Sequence, residues 1–214
     1  MIVFGSTLSP FVRKVMAFGA EKGLDLELRP AGMGRGGPEF ERASPFRKMP
    51  GFLDPTEDFA ISDSTAIIAY LEAKYPEPNL IPTEPKARAR TIWFEEFADT
   101  VVMAAGGKIF FNRFVSPKVL KQPGDESVAA KAEAEELPPV LDYLEGIAPD
   151  SGFLVEDRLT LADIAVASPF VNFRHVGLDL ARWPRASAYL DAILARSSFT
   201  RWIEQEQRMV AALG

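Results

Sequence analysis

The chain has 214 residues, of which 47% are hydrophobic and 25% charged, and its formal net charge is −6. This composition predicts a soluble globular protein of one or two domains, and the negative charge argues against nucleic acid and anionic membranes as partners. No apolar run is as long as a membrane span, and we expect no signal peptide. The chain contains no cysteine, which excludes disulfides and thiolate metal sites and makes the cytoplasm the expected setting.

The first part of the chain alternates between short strands and helices. Residues 1–4 form an apolar run that predicts a strand. Ser9 and Pro10 have the residue types of a helix N-cap and first turn, and the helix is predicted to end near Lys22. A second strand over residues 25–29 would then pair in parallel with the first.

A glycine-rich segment follows, with a G-x-G-x-x-G match at Gly32, Gly34 and Gly37. In a dinucleotide site such glycines open a helix that packs on a strand. Here Pro45 stops the next helix after a few residues. The segment is therefore interpreted as a surface loop.

The stretch from Lys48 to Tyr70 predicts two strands, over residues 52–54 and 59–61, and a helix that opens at Asp63. Proline pushes the preceding residue towards extended backbone, so Met49 can pair with an extended ligand, and we expect the Met49–Pro50 bond to be cis. The helix start offers N–H groups for a carboxylate, and Asp63 suits an ammonium group. These features predict a site for a small zwitterionic peptide.

The second part of the chain predicts helices only. A proline-rich linker over residues 78–85 precedes a helix that starts near Lys86. Gly106-Gly107 is expected to weaken this helix, and Pro138-Pro139 to kink or split a later one. The first helix carries aromatic and apolar residues at helical spacing: Trp93, Phe94, Phe97 and Val101.

A capping box is predicted at Thr160 and Asp163, where both residues have a structural role. Two further helices are expected over residues 182–195 and 199–212. His175 is the only histidine and lies in this helical part. A Ser-His-Asp triad in the first part is therefore not expected, and a zinc site lacks ligands.

The segment from Lys48 to Tyr70 resembles the glutathione-binding half of the cytosolic glutathione transferases. In that family a small apolar residue precedes a cis-proline, and Glu-Ser or Gln-Ser opens the next helix; here Asp63 takes the place of Glu or Gln. The resemblance implies an α/β N-terminal thioredoxin-like domain (βαβαββα) over residues 1–77 and an all-α C-terminal helical domain over residues 86–214.

The resemblance also implies glutathione as co-substrate, no metal and a homodimer. Glutathione would bind through the Met49 backbone, the Asp63 side chain and Ser64, with Lys48 a candidate for the glycine carboxylate. An adjacent electrophile pocket is predicted from aromatic side chains, although a stripe of Phe is more often core: Phe11, Phe110, Phe111 and Phe114.

The run from Leu8 to Arg13 resembles the serine-type, bacterial-like transferases, whose serine at the start of this helix stabilises the glutathione thiolate. A free thiol titrates near about 8.5 and only the thiolate attacks well, so a hydroxyl donor to sulfur is useful. Ser9 is thus the predicted catalytic residue. The alternative is that Ser9 is only an N-cap, and Ser6 and Thr7 are rival donors.

Two functions therefore stay open. The first is a glutathione transferase that conjugates, dehalogenates or isomerises a small apolar electrophile. The second is a non-catalytic binding or regulatory protein that keeps the same fold. Pocket shape depends on side-chain packing, so the sequence does not name the electrophile.

Overall fold

The computed structural model describes residues 1–32 and 34–213. Met33, which belongs to the glycine-rich segment, and Gly214 lie outside the described residues. The chain divides into two compact units, residues 1–81 and residues 82–214. Each unit is described by itself.

The first unit contains a four-stranded sheet and three helices. The elements are β1 (Ile2–Phe4), α1 (Pro10–Glu21), β2 (Glu27–Arg29), α2 (Pro38–Ala43), β3 (Gly51–Asp54), β4 (Phe59–Ser62) and α3 (Ser64–Lys74). The sheet order is β2-β1-β3-β4, with β1 parallel to β2 and antiparallel to β3. The predicted fold class is confirmed, although β2 is shorter than the predicted strand.

The two faces of the sheet are covered by different helices. Alternate residues of a strand point to opposite faces. Ile2 and Phe4 of β1 belong to a buried cluster with Phe40 and Ala43 of α2. Val3, between them, is also fully buried, and α1 packs against α3.

A buried ion pair fixes the segment after α3 to the first unit. Lys22 Nζ lies 2.7 Å from Glu72 Oε2 and donates to the Pro78 carbonyl at 2.8 Å. Glu72 Oε1 accepts the backbone N–H groups of Leu80 and Ile81, both at 3.1 Å. The proline-rich segment is therefore bound to the first unit as far as Ile81.

The second unit is built from helices. The α-helices are α4 (Pro85–Glu96), α5 (Met103–Phe110), α6 (Glu126–Lys131), α7 (Leu137–Ile147), α8 (Leu161–His175), α9 (Pro184–Leu194) and α10 (Ser197–Leu213). Wider π-helical turns continue three of them, over Phe97–Val102, Phe111–Val119 and Ala132–Glu136. Within residues 82–213, β-type pairing is limited to one isolated bridge between Val155 and Arg158.

The glycine pair and the proline pair of the second unit affect their helices in different ways. The helix runs on through Gly106 and Gly107, so the expected weakening does not interrupt it. Pro138 and Pro139 lie in the first turn of α7, directly after a π-helical segment. A first-turn residue has no helical partner for its N–H, so proline is tolerated there. The chain stays helical from Glu126 to Ile147 and changes from π-helical to α-helical turns next to the proline pair.

Helix α8 is the buried centre of the second unit, since every residue from Leu161 to Phe173 is buried. The predicted capping box is confirmed: Asp163 Oδ2 accepts the Thr160 N–H at 2.9 Å. Asp163 Oδ1 also accepts from the Tyr189 hydroxyl at 3.0 Å. Burial raises the pKa of the Asp163 carboxyl although these hydrogen bonds act in the opposite direction. No helix among the described residues is long and apolar enough to cross a membrane.

Candidate functional site

The loop after β1 lies against the residue that precedes Pro50. Gly5 has φ +154°, and a Cβ atom there would lie 2.6 Å from Val12 Cγ2 and 3.4 Å from Met49 Cβ. Only a residue without a side chain allows this approach. The Met49–Pro50 peptide bond is cis. The two segments that carry the family resemblance therefore meet in the first unit.

Ser9 stands at the N-cap position of α1, with extended backbone angles. Its carbonyl accepts the Arg13 N–H at 3.0 Å, which closes the first helical turn. Its hydroxyl makes no capping hydrogen bond with the described part of the chain. The side chain is half-buried. The hydroxyl is therefore not committed to the helix, and the interpretation of Ser9 as a cap has no support from its side chain.

The rival hydroxyls of the same loop have other surroundings. Ser6 Oγ accepts the Leu8 N–H at 3.4 Å, and the Ser6 carbonyl accepts the Ser9 N–H at 2.9 Å. The hydroxyl of Thr7 is buried. Of these three side chains, Thr7 is buried, Ser6 is half-buried and accepts from Leu8, and Ser9 is half-buried with a hydroxyl that makes no capping bond.

Asp63 caps α3 with its own carboxylate. Asp63 Oδ1 accepts the N–H groups of Thr65 at 2.9 Å and Ala66 at 3.2 Å. The backbone of Asp63 has φ 81° and ψ 129°, a costly conformation for a residue with a side chain, and such strain concentrates at functional sites. Two of the N–H groups predicted to bind a ligand carboxylate, those of Thr65 and Ala66, are therefore taken by a side chain of the chain itself. Ser64, the first helical residue, is buried.

Met49 is supported by the glycine-rich loop. A Cβ atom at Gly32 would lie 2.4 Å from Met49 Sδ, so the lack of a side chain at Gly32 allows close packing on Met49. The helix that follows, α2, has six residues, which agrees with a surface loop rather than a dinucleotide site. Beside Met49, the Lys48 carbonyl accepts the Ser44 hydroxyl at 2.8 Å. The Lys48 side chain is exposed.

The predicted pocket aromatics differ in their burial. Phe110 and Phe114 are buried and stacked, with ring centroids 5.0 Å apart. Phe111 is 47% exposed. Phe11 belongs to α1 of the first unit and is half-buried. An electrophile pocket built from these residues stays a prediction.

Sequence reasoning missed a cluster around Asp54. The buried Asp54 carboxylate accepts from Lys74 Nζ at 2.6 Å, the Tyr70 hydroxyl at 2.8 Å and Thr56 Oγ1 at 2.7 Å. Burial alone would raise the pKa of Asp54, but these hydrogen bonds outweigh it and hold the pKa well below its ordinary value. An open groove of about 440 Å³ runs beside Tyr70 and Lys74. The sequence contains one signal for this cluster, because Tyr70 and Lys74 are spaced one helical turn apart.

Within residues 1–32 and 34–213, no group of three or more His, Cys, Asp or Glu side chains could hold a metal ion.

Family models for the N-terminal and C-terminal domains of glutathione S-transferases match residues 3–79 and 126–192. A glutathione S-transferase of Hyoscyamus muticus is 32% identical over 215 residues, which cover 97% of this chain and 99% of that protein. The chain belongs to the glutathione S-transferase family.

Other relatives extend this result. A maleylacetoacetate isomerase of Rattus norvegicus is 28% identical, with 92% of this chain and 87% of that protein covered. The crystal structure of a glutathione S-transferase of Methylobacterium radiotolerans, in complex with glutathione sulfonate, has a TM-score of 0.75 and 27% identity. The match covers 94% of this chain and 93% of the Methylobacterium radiotolerans chain. The predicted family and its two-part fold are confirmed.

Proposed function

We propose that this chain binds glutathione and activates its thiolate for attack on a small apolar electrophile. The observation that carries the proposal is the Ser9 hydroxyl, which stands at the N-terminus of the 12-residue α1 and is not used as a cap. A hydroxyl in this position is available as a donor to a ligand. The family membership makes glutathione the ligand.

The chemistry follows from the charge on sulfur. The Ser9 O–H donates to the sulfur, and the partial positive charge of the α1 N-terminus favours the anion as well. The thiol proton passes to water. The thiolate then forms a bond to the electrophilic carbon, and the leaving group departs with its bonding electron pair. Ser9 keeps its proton throughout.

Glutathione would lie along the edge that Met49 and Pro50 begin. Its peptide backbone pairs with the Met49 backbone, and its ammonium group faces the Asp63 carboxylate. Ser64 contributes at the start of α3, and Lys48 suits the glycine carboxylate. The contact between Gly5 and Met49 supports this placement, because it brings the loop of Ser9 and the peptide-binding edge together.

We further propose that the protein is a cytoplasmic homodimer. Phe46 is 86% exposed, and Trp93 in the second unit is 52% exposed, with Val101 and Tyr143 also exposed. Trp93 and Tyr143 adjoin, with Nε1 and the hydroxyl 3.4 Å apart. A contiguous exposed apolar patch marks an interaction site, and most soluble oligomers are assemblies of identical chains.

The test is a pair of substitutions at Ser9. Ser9→Ala should lower conjugation roughly ten- to a hundredfold, because a hydroxyl donor to an anion contributes a few kcal/mol. The free energy of unfolding should hardly change, because no capping bond is lost. Ser9→Cys should instead gain deglutathionylation, since a thiol at a helix N-terminus has a lowered pKa. Ser6→Ala is the matched control from the same loop.

The substrate panel separates the functions. Wild-type turnover with alkyl or aryl halides supports conjugation. Reversible addition of the thiolate to a conjugated double bond would isomerise it, and the relative named as an isomerase makes such a substrate the second candidate. Retention on glutathione resin without any turnover favours the non-catalytic alternative. Equal rates for Ser9→Ala and wild type would remove Ser9 from the mechanism.

A further inference from the structure

The hydroxyl of Thr7 is the feature that the proposed function leaves unexplained. Thr7 is 1% exposed, and its Oγ1 has no hydrogen-bond partner among residues 1–32 and 34–213. A buried hydroxyl without a partner destabilises the folded chain, and valine has the same shape without that penalty. Thr7 therefore makes the ligand-free protein less stable than a valine at this position would.

Thr7 belongs to the loop of the thiol site. It follows Gly5, whose backbone lies against Met49, and it precedes Ser9 by two residues. The Ser9 hydroxyl makes no capping bond in the described chain either. The same short loop thus contains two hydroxyls that do not stabilise the ligand-free fold, one sealed from solvent and one half-exposed. Local rules of stability are typically broken where function requires it.

We propose that Thr7 is a positioning residue for Ser9: when glutathione binds, the loop of residues 5–9 shifts and the Thr7 hydroxyl donates a hydrogen bond to Ser9 Oγ. The inference rests on the proposed function of Ser9. Thr7 is assigned to Ser9 and not to the ligand because its oxygen is closed to solvent. Thr7 and Ser9 lie in one tight turn, in which the Ser6 carbonyl accepts the Ser9 N–H at 2.9 Å.

The hydrogen bond from Thr7 strengthens the hydrogen bond that Ser9 donates to the sulfur. Ser9 Oγ accepts from Thr7 while its own O–H donates to the sulfur, and hydrogen bonds in such a chain polarise one another. No proton is transferred between the two hydroxyls. The thiolate is stabilised further, and the bound thiol ionises at lower pH than Ser9 alone would allow.

Three variants test the role of Thr7. In Thr7→Val the bound thiol should titrate about 0.5 to 1 pH unit higher, which lowers conjugation at neutral pH roughly three- to tenfold. Thr7→Ser keeps the hydroxyl and should behave as wild type. The matched control is Thr91→Val, because Thr91 is also fully buried but donates to the Ala87 carbonyl at 2.9 Å.

The measurements are the pH dependence of kcat, the ultraviolet absorbance of the bound thiolate, and the thermal unfolding of the ligand-free variants. We expect Thr7→Val to shift the thiol titration while the free protein stays at least as stable as wild type. Thr91→Val should lose stability and leave the titration unchanged. An unshifted titration in Thr7→Val overturns the inference, and so does a loss of stability equal to that of Thr91→Val, because it would reveal a structural partner.

Failure of the inference is distinguishable from failure of the proposed function. If Ser9→Ala shifts the titration and Thr7→Val does not, only the role of Thr7 is wrong. If the wild type forms no thiolate on addition of glutathione, the proposed function is wrong and the role of Thr7 falls with it.

Discussion

Two adjacent glycines of α5 allow the packing of the second unit to be tested with an internal control. A Cβ atom at Gly106 would lie 2.0 Å from Phe173 Cζ and 2.4 Å from its Cε1, and that ring is fully buried. A Cβ atom at Gly107 would lie 3.2 Å from Met103 Cε, the far end of a flexible side chain. Both glycines lie inside the same helix.

The two alanine variants should therefore differ by the packing term alone. Replacing a helical glycine with alanine stabilises by about 0.5–1 kcal/mol, and both positions gain that amount. Forcing an extra methyl group into a packed core costs about 1–3 kcal/mol. Gly107→Ala should be neutral to stabilising, and Gly106→Ala should lie about 1–3 kcal/mol below it.

The assay is equilibrium unfolding in urea, followed by tryptophan fluorescence. All three tryptophans report on the second unit: Trp93, Trp183 and Trp202. Phe173→Leu in the Gly106→Ala background should recover part of the loss, since the clashing ring atoms are removed. Equal stabilities of Gly106→Ala and Gly107→Ala would refute the packing of Phe173 on Gly106.

Three further predictions concern the site, the assembly and acid stability. Asp63→Ala should weaken glutathione binding roughly ten- to a hundredfold, because the contact with the ligand ammonium group is lost. It should also lower the free energy of unfolding by about 1 kcal/mol, because the α3 cap is lost. An unchanged affinity in calorimetry contradicts the binding role of Asp63. Phe46→Ser should move the light-scattering mass from two chains towards one, whereas a wild-type mass of one chain contradicts the dimer. The Asp54 carboxylate, with its lowered folded-state pKa, stabilises the fold fully above about pH 4 and less as the pH falls. Asp54→Asn should therefore flatten the acid loss of thermal stability.

Local sequence signals were enough to predict the elements and most of their limits. Alternating apolar residues, glycines and prolines placed the strands and helices of the first unit, and Thr160 with Asp163 marked the start of α8. These signals work because a strand pattern, a cap or a proline acts through residues close in the chain. The family resemblance depended on such short motifs as well.

The tertiary structure decided which hydrogen-bond partner each polar group has. The sequence offered Asp63 as an ammonium partner and the N–H groups behind it as an anion site, whereas the folded backbone turns the carboxylate onto those same N–H groups. Likewise, the sequence left Ser9 as either a cap or a donor. Only the folded loop shows that its hydroxyl is not used by the helix. Whether such a side chain bonds to its own helix or faces a ligand depends on its side-chain torsion angle, and the residue type alone does not determine that angle.

Contacts between distant segments were beyond the sequence for a related reason. Gly5 meets Met49, and Gly106 receives the ring of Phe173, because sheet pairing and helix packing bring these segments together. The buried Thr7 hydroxyl has no distinguishing mark in the sequence. Composition and periodicity determined which elements form, because those depend on near neighbours. Which side chains face one another, and which remain without a partner, depends on the packing of the whole unit.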